Sequence, residues 1–230
     1  MENNINDIAR YASPACYAHE LEFGEDGFTA VDPVAATDVS RWRRAERERL
    51  ISARLAVAAD DAGRLTRDVI AEIEQWVVAG PGLRISVYWP WRGELDLREE
   101  MRSWHVAGAR VALPVVVDKH GPMVFREWHP NCEMERGALN IPVPAKAVEI
   151  TPNVIIAPLV GFDRHCYRLG YGGGFFDRTL AALRPRPFLI GVGHPVLQIP
   201  TIYPQPHDVP MDVIITGYDR IIEREGDQPA

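Results

Sequence analysis

The stretch Arg168-Leu169-Gly170-Tyr171-Gly172-Gly173-Gly174-Phe175-Phe176-Asp177-Arg178 constrains this chain more than any other. The run from Asn153 to Val160 before it is β-branched and apolar, which predicts a buried strand ended by proline. After it, Phe175, Phe176, Thr179, Leu180 and Leu183 recur at helical spacing. The order is therefore strand, glycine-rich loop, helix. Glycines lack Cβ, so a ligand can approach the loop backbone closely. Consecutive N–H groups backed by the first turn of a helix form an anion cradle. Arg168 adds a fixed fork of donors that suits phosphate oxygens. Two readings of the loop fit these residues: a phosphate site, or a tight turn whose glycines serve helix–strand packing. Two familiar motifs do not fit. A P-loop ends in Gly-Lys-Ser/Thr, where this chain has Gly173-Gly174-Phe175. A dinucleotide fingerprint beginning at Gly170 needs glycine where Phe175 stands.

A chain of 230 residues can hold one α/β domain with a real core, or at most two small ones. Its net charge of −7 argues against general binding to nucleic acid or anionic membranes, so an anion site must be local. Cys16, Cys132 and Cys166 have no close pairing, which implies neither a disulfide framework nor a zinc knuckle. The scattered histidines form no two-His helical pair, so a catalytic zinc is not expected. The start, Met1 to Asp7, is polar rather than signal-like, and no apolar run approaches the roughly 18 residues of a membrane span. A cytoplasmic location is expected by elimination.

Residues 1–36 carry little periodicity and are expected to form an extension or arm, with loops at Ser13–Glu20 and Gly24–Gly27. A single domain is expected over 37–225, and 226–230 as a fraying tail. Thr37-Asp38 is expected to cap a helix reaching Ala59. Its arginines read as a solvated face paired with Glu46 and Glu48, yet Arg43 and Arg47 are four apart and project side by side. A second helix is expected over Thr66–Ala79, a strand over Leu83–Trp89 and a third helix ending at Val106. Further strands are expected at Arg110–Val117, Met123–Arg126, Phe188–Gly193 and Val213–Thr216, with Asn131–Val148 irregular.

The glycine stretch resembles the signature of the 5-formyltetrahydrofolate cyclo-ligases (methenyltetrahydrofolate synthetases), typically Arg-Leu-Gly-x-Gly-x-Gly-Tyr-Tyr-Asp. Phe175 and Phe176 replace the two tyrosines. The resemblance begins at Pro158-Leu159-Val160-Gly161-Phe162-Asp163 and extends over residues 40 to 220 or so. It implies a three-layer α/β domain with a mostly parallel, Rossmann-like central sheet. It implies ATP held by Arg43 and Arg47, which match the family's Lys-x-x-x-Arg pair with arginine for lysine; Arg54 matches a further arginine. Arg168, Leu169, Gly170, Tyr171, Gly172, Gly173, Gly174 and Phe175 complete the implied ATP site. Mg²⁺ is implied on Asp177 and on Asp208 of His207-Asp208-Val209-Pro210-Met211-Asp212. Glu94, closing Tyr88-Trp89-Pro90-Trp91-Arg92-Gly93-Glu94, is implied to bind the pterin of a folate, with Trp89 beside the ring system and Phe176 stacking.

The implied reaction uses the γ-phosphate of ATP to trap the N5-formyl oxygen as an iminium phosphate. N10 then attacks and phosphate leaves, giving 5,10-methenyltetrahydrofolate. The implied partner is a small folate, with no nucleic acid or membrane, on a monomer or homodimer. The chain departs from the family at Asn140-Ile141-Pro142-Val143-Pro144, where a Glu-Pro pair is common. Two alternatives stay open: an ATP-using enzyme for another formyl or amide substrate, and a folate- or nucleotide-binding module without turnover.

Overall fold

The computed structural model describes residues 21–24, 27–30 and 33–224. The N-terminal residues 1–20 of the expected arm and the tail 226–230 lie outside the described residues. Strands β1 (Leu21–Gly24) and β2 (Gly27–Ala30) pair antiparallel, so Gly24 and Gly27, expected in a plain loop, are strand residues opposite each other. Helix α1 (Pro33–Leu55) begins before the expected cap at Thr37-Asp38. Proline suits a first helical position, because its φ is preset and its missing N–H would have no partner there. Helix α2 (Ala59–Trp76) begins before Thr66, with Asp60 and Asp61 in a first turn whose dipole favours them.

The remaining elements are β3 (Arg84–Ser86), α3 (Arg98–Val106), β4 (Arg110–Val115), β5 (Val124–Trp128), β6 (Met134–Arg136) and β7 (Pro142–Pro144). They continue with β8 (Val154–Pro158), β9 (Gly161–Phe162), β10 (Arg168–Leu169), α4 (Phe175–Ala182), β11 (Phe188–Val192), β12 (Val213–Ile215) and β13 (Ile221–Glu223). The main sheet has seven strands in the order β13-β12-β11-β8-β3-β4-β5. Its inner strands run parallel, and the edges β13 and β5 run antiparallel. Side chains alternate across a strand, so each inner strand feeds two cores. On one face, Val69 and Ile73 of α2 and Met101 and Trp104 of α3 cluster with Ile85, Val111, Ile156 and Ile190. On the other, Leu50 of α1 and Leu180 of α4 cluster with Ala112, Ile155, Leu189 and Ile214. This is the expected three-layer α/β arrangement. Among the described residues no helix is long and apolar enough to cross a membrane.

The strand order decides where a ligand can enter. From β3 the chain passes to β4 on one side, and later to β8 on the other. Crossovers leaving in opposite directions open a crevice at the C-terminal ends of β3 and β8. Pairing of β3 with β4 stops at Ser86–Ala112, so Pro114 lies past the end of β3, where its missing N–H breaks no ladder. The segment expected to be irregular holds the β6–β7 ribbon, which Arg126 fastens by donating to Pro144 O at 3.0 Å and Glu135 Oε1 at 2.8 Å. Prolines at both ends of β7 hid it from the sequence reading, yet a two-stranded ribbon has free edges that accept them.

Behind the crevice, a Cβ on Gly161 would lie 2.6 Å from Leu50 Cδ1. Leu50 is fully buried and cannot swing aside. Gly161→Ala is therefore expected to destabilise the fold by about 1–3 kcal/mol through overpacking. The check is a lower urea midpoint at unchanged slope.

Candidate active site

The crevice encloses about 240 Å³. Of the residues singled out from the sequence for phosphate, folate or metal, these line it: Arg43, Arg47, Trp89, Glu94, the run Arg168 to Asp177, and Asp208. Arg54 does not; it is buried behind the wall, donating to Leu159 O and Arg92 O at 3.0 Å each.

The loop needs its glycines for conformation and for space. Gly172 (φ +93°) and Gly174 (φ +64°) take left-handed backbone that a side chain disfavours. A Cβ on Gly172 would lie 3.3 Å from Arg47 Cζ, and one on Gly170 would lie 2.7 Å from Arg168 Nη1. The arginines thus lie against the loop backbone. Helix α4 starts directly after Gly174, so N–H groups of its first turn face the loop without intrahelical partners. Thr179 pins α4 by accepting from Met123 N at 2.8 Å and donating to Phe175 O at 2.6 Å.

The three cleft arginines differ in how far they are committed. Arg43 grips Asp208 through Nη2 at 2.5 Å and Nη1 at 3.3 Å, and donates to Ile202 O and Tyr203 O. Arg168 is buried, donates to Asp177 Oδ1 at 3.1 Å, and lies over the Phe176 ring at 4.8 Å. Burial pulls its pKa down, while Asp177 and Asp208 push it back up. Its Nε is buried without a hydrogen-bond partner among the described residues. Arg47 donates through Nε to Gly170 O at 2.7 Å, and among the described residues both of its terminal nitrogens lack a hydrogen-bond partner. Two cations therefore carry built-in counter-charges, and Arg47 has donors to offer a ligand.

Opposite the loop stands Glu94, in the turn that follows β3. Its Oε2 accepts from Trp91 N at 2.9 Å and its Oε1 from the Tyr171 hydroxyl at 2.7 Å. Loss of solvent raises the Glu94 pKa to about 7, against the hydrogen bonds from Tyr171 and Trp91 and the charge of Arg54. Aromatic rings surround the carboxyl: Tyr88, Trp89 and Trp91 line the same crevice, and Trp91 packs on Tyr171 at 4.9 Å. A carboxylate so placed can accept a pair of hydrogen bonds from the edge of a flat heterocycle. Sequence reasoning missed the reach of Tyr171 to Glu94, the part of Trp91, and the wall formed by Leu139, Ile141 and Val143. None of these leaves a periodic signal.

The donors for a metal are few. Asp177 Oδ1 accepts from Arg168 and Val209 N, while its Oδ2 accepts no hydrogen bond among the described residues. Both oxygens of Asp208 accept from Arg43, and Oδ2 also from Gln205 N at 2.7 Å. No group of three or more His, Cys, Asp or Glu suited to a metal occurs among the described residues. Two hard carboxylates without a third protein ligand fit Mg²⁺, which fills its shell with phosphate and water, and do not fit zinc.

The sequence profile of the 5-formyltetrahydrofolate cyclo-ligase family matches residues 39–217. The chain is similar to the 5-formyltetrahydrofolate cyclo-ligase of Escherichia coli, with 33% identity over 141 residues, 57% of this chain and 76% of that one. It is similar to the protein of the same name from Haemophilus influenzae at 30% identity, over 58% of this chain and 75% of that one. Among solved structures it resembles the 5,10-methenyltetrahydrofolate synthetase of Aquifex aeolicus, with a TM-score of 0.68 at 23% identity, covering 82% and 96% of the two chains. The corresponding synthetase of Mycoplasma pneumoniae superposes with a TM-score of 0.61 at 21% identity, covering 75% and 97%. The structural likeness bears on the fold alone, and the family match spans the residues from 39 to 217.

Proposed function

Because this chain belongs to the 5-formyltetrahydrofolate cyclo-ligase family, we propose that its crevice converts 5-formyltetrahydrofolate to 5,10-methenyltetrahydrofolate, with ATP cleaved to ADP and phosphate. One observation carries the reading. A single crevice holds an anion-directed glycine loop beside the uncommitted end of Arg47 and, across Tyr171, a partly buried carboxylate walled by aromatic rings. The loop and Arg47 suit a triphosphate. Glu94 suits the amino-pyrimidinone edge of a pterin, which offers neighbouring N–H donors.

The reaction needs no side-chain nucleophile. Transfer of the γ-phosphoryl group breaks the terminal P–O bond of ATP and forms one to the formyl oxygen, leaving the formyl carbon electrophilic. N10 adds to that carbon and gives up its proton to solvent, and the C–O bond then breaks with release of phosphate. The protein's share is positioning and charge neutralisation. Loop N–H groups, Arg47 and Arg168 hold the phosphates, while Arg43 and Arg168 orient Asp208 and Asp177. Mg²⁺ on those two carboxylates supplies further neutralisation of the phosphoryl oxygens when bound. Trp89 and Phe176 stack on the folate, so loss of the family tyrosine hydroxyl leaves the ring contact in place.

Purified protein with 5-formyltetrahydrofolate, ATP and Mg²⁺ is expected to release ADP and to develop the near-ultraviolet absorption of the methenyl product in equal amounts. ADP without that absorption would assign the crevice to a different formyl or amide substrate. Arg47→Ala is expected to lower kcat/KM for ATP by roughly 10- to 100-fold, since a charge-assisted hydrogen bond contributes about 1.5–3 kcal/mol. Unchanged ATP kinetics in that variant would remove Arg47 from the phosphate site.

A further inference from the structure

We propose, on the basis of that reading, that Tyr171 is a positioning residue which ties the phosphate loop to the folate carboxylate, so that nucleotide and folate each tighten the binding of the other. Tyr171 stands between Gly170 and Gly172, so its backbone belongs to the phosphate cradle. Its hydroxyl belongs to the other half of the site. It donates to Glu94 Oε1 at 2.7 Å and accepts from Arg54 Nη2 at 2.7 Å. The direction of the chain is fixed by chemistry: a guanidinium can only donate, so the phenol proton goes to Glu94.

Arg54 gives this chain a rigid base. Its other donors hold Leu159 O, just past the end of β8, and Arg92 O, in the turn that carries Glu94. One buried side chain therefore braces both walls of the crevice and the hydroxyl between them. Arg54 shares the sequence spacing of the phosphate arginines, yet its donors are taken by Leu159, Arg92 and Tyr171. The Tyr171 ring is seated against Trp91 at 4.9 Å, with the Arg54 guanidinium 5.9 Å from its centroid. With Tyr171 on Oε1 and Trp91 N–H on Oε2, the plane of the Glu94 carboxylate is set, and each oxygen keeps acceptor capacity for the substrate edge.

Phosphate binding that orders the loop then fixes Tyr171, and Tyr171 fixes Glu94. Coupling between two sites is reciprocal by linkage, so folate bound at Glu94 steadies the loop for nucleotide to the same extent. The charged and titratable groups facing Glu94 are Tyr171, Arg54 and Tyr88. Of these, Tyr171 contributes a direct hydrogen bond to the ionised carboxylate, and its removal disfavours that form.

The test uses the full chain and the variant Tyr171→Phe, which keeps the ring and removes the hydroxyl. The Kd of 5-formyltetrahydrofolate is measured with and without adenylyl imidodiphosphate and Mg²⁺. The wild type is expected to bind folate about 5- to 150-fold tighter with the nucleotide present, the usual range for coupled sites, and the variant to lose most of that ratio. The Glu94 carboxyl ¹³C resonance, followed by NMR without folate, should titrate at higher pH in the variant. In the wild type it should shift when the nucleotide binds, a readout that needs no folded variant. A coupling ratio in Tyr171→Phe within about twofold of wild type overturns the proposal, because removing the link must remove most of the coupling. If the wild type neither binds nor converts 5-formyltetrahydrofolate, the activity reading fails instead. The response of the Glu94 resonance to nucleotide then decides the link alone, and an unmoved resonance overturns it.

Discussion

Glu94→Gln is expected to lower kcat/KM for 5-formyltetrahydrofolate by about 10²- to 10⁴-fold, since two charge-assisted hydrogen bonds of about 1.5–3 kcal/mol each are lost or weakened. Glutamine matches glutamate in shape, but its NH₂ would face either the Tyr171 hydroxyl or the Trp91 N–H, and on either side it offers the pterin edge a donor in place of an acceptor. Glu94 touches no phosphate, so adenylyl imidodiphosphate alone should lose far less affinity in the variant than folate does, the loss being confined to what passes through Tyr171. A pH signature accompanies the loss. The raised pKa of Glu94, about 7, means that the free enzyme carries the accepting carboxylate only above that pH. In wild type, kcat/KM for folate should therefore rise with pH through about 7 and then level, and in Glu94→Gln this limb should vanish. The stability sign is opposite. A carboxyl whose folded pKa exceeds its unfolded value favours the fold at low pH and loses that contribution as pH rises from 4.5 through about 7. At pH 8 the variant should melt no lower than wild type, and a variant both inactive and less stable there would contradict a functional carboxylate held against its solvation.

How much of this site could be read in the sequence depends on how local each part is. The strand, glycine loop and helix were legible because each is written in consecutive residues, and the loop's demand for glycine at 172 and 174 is a backbone demand. The buried apolar runs of β8 and β11 gave the inner sheet in the same way. The pairing of Arg43 with Asp208 joins residues 165 apart, and α1 carries too many arginines for periodicity to pick out those that turn inward. Arg54 shows the same limit from the other side: spacing groups it with Arg47, yet its donors meet two carbonyls and a phenol behind the wall. Glu94 looks in sequence like an acid ahead of a helix. Its character comes from β3 leaving the sheet at Ser86 and from a tyrosine 77 residues away. The β6–β7 wall was hidden because prolines at 142 and 144 argue against a strand unless its ribbon has free edges.

Asp177→Ala should have the largest effect on the fold, and it separates two roles that the residue combines. Arg168 has a side chain only 4% exposed, and its one hydrogen bond among the described residues goes to Asp177. Removing that carboxylate leaves a buried guanidinium with the Phe176 ring and the more distant Asp208, which Arg43 already holds. Breaking a buried pair from one side costs about 3–5 kcal/mol, and loss of an acid from the first turn of α4 adds about 0.3–1 kcal/mol. Urea unfolding should show this as a lower midpoint at unchanged slope. The double variant Arg168→Met/Asp177→Ala removes both charges, and a thioether packs well against an aromatic ring. It should regain most of the lost stability. Arg168 also holds phosphate, so turnover stays low in the double variant either way and the response to Mg²⁺ is the readout. If Asp177 matters only as the counter-ion of Arg168, nucleotide binding by the recovered fold still tightens on addition of Mg²⁺. If its Oδ2 is the oxygen offered to Mg²⁺, that tightening is lost.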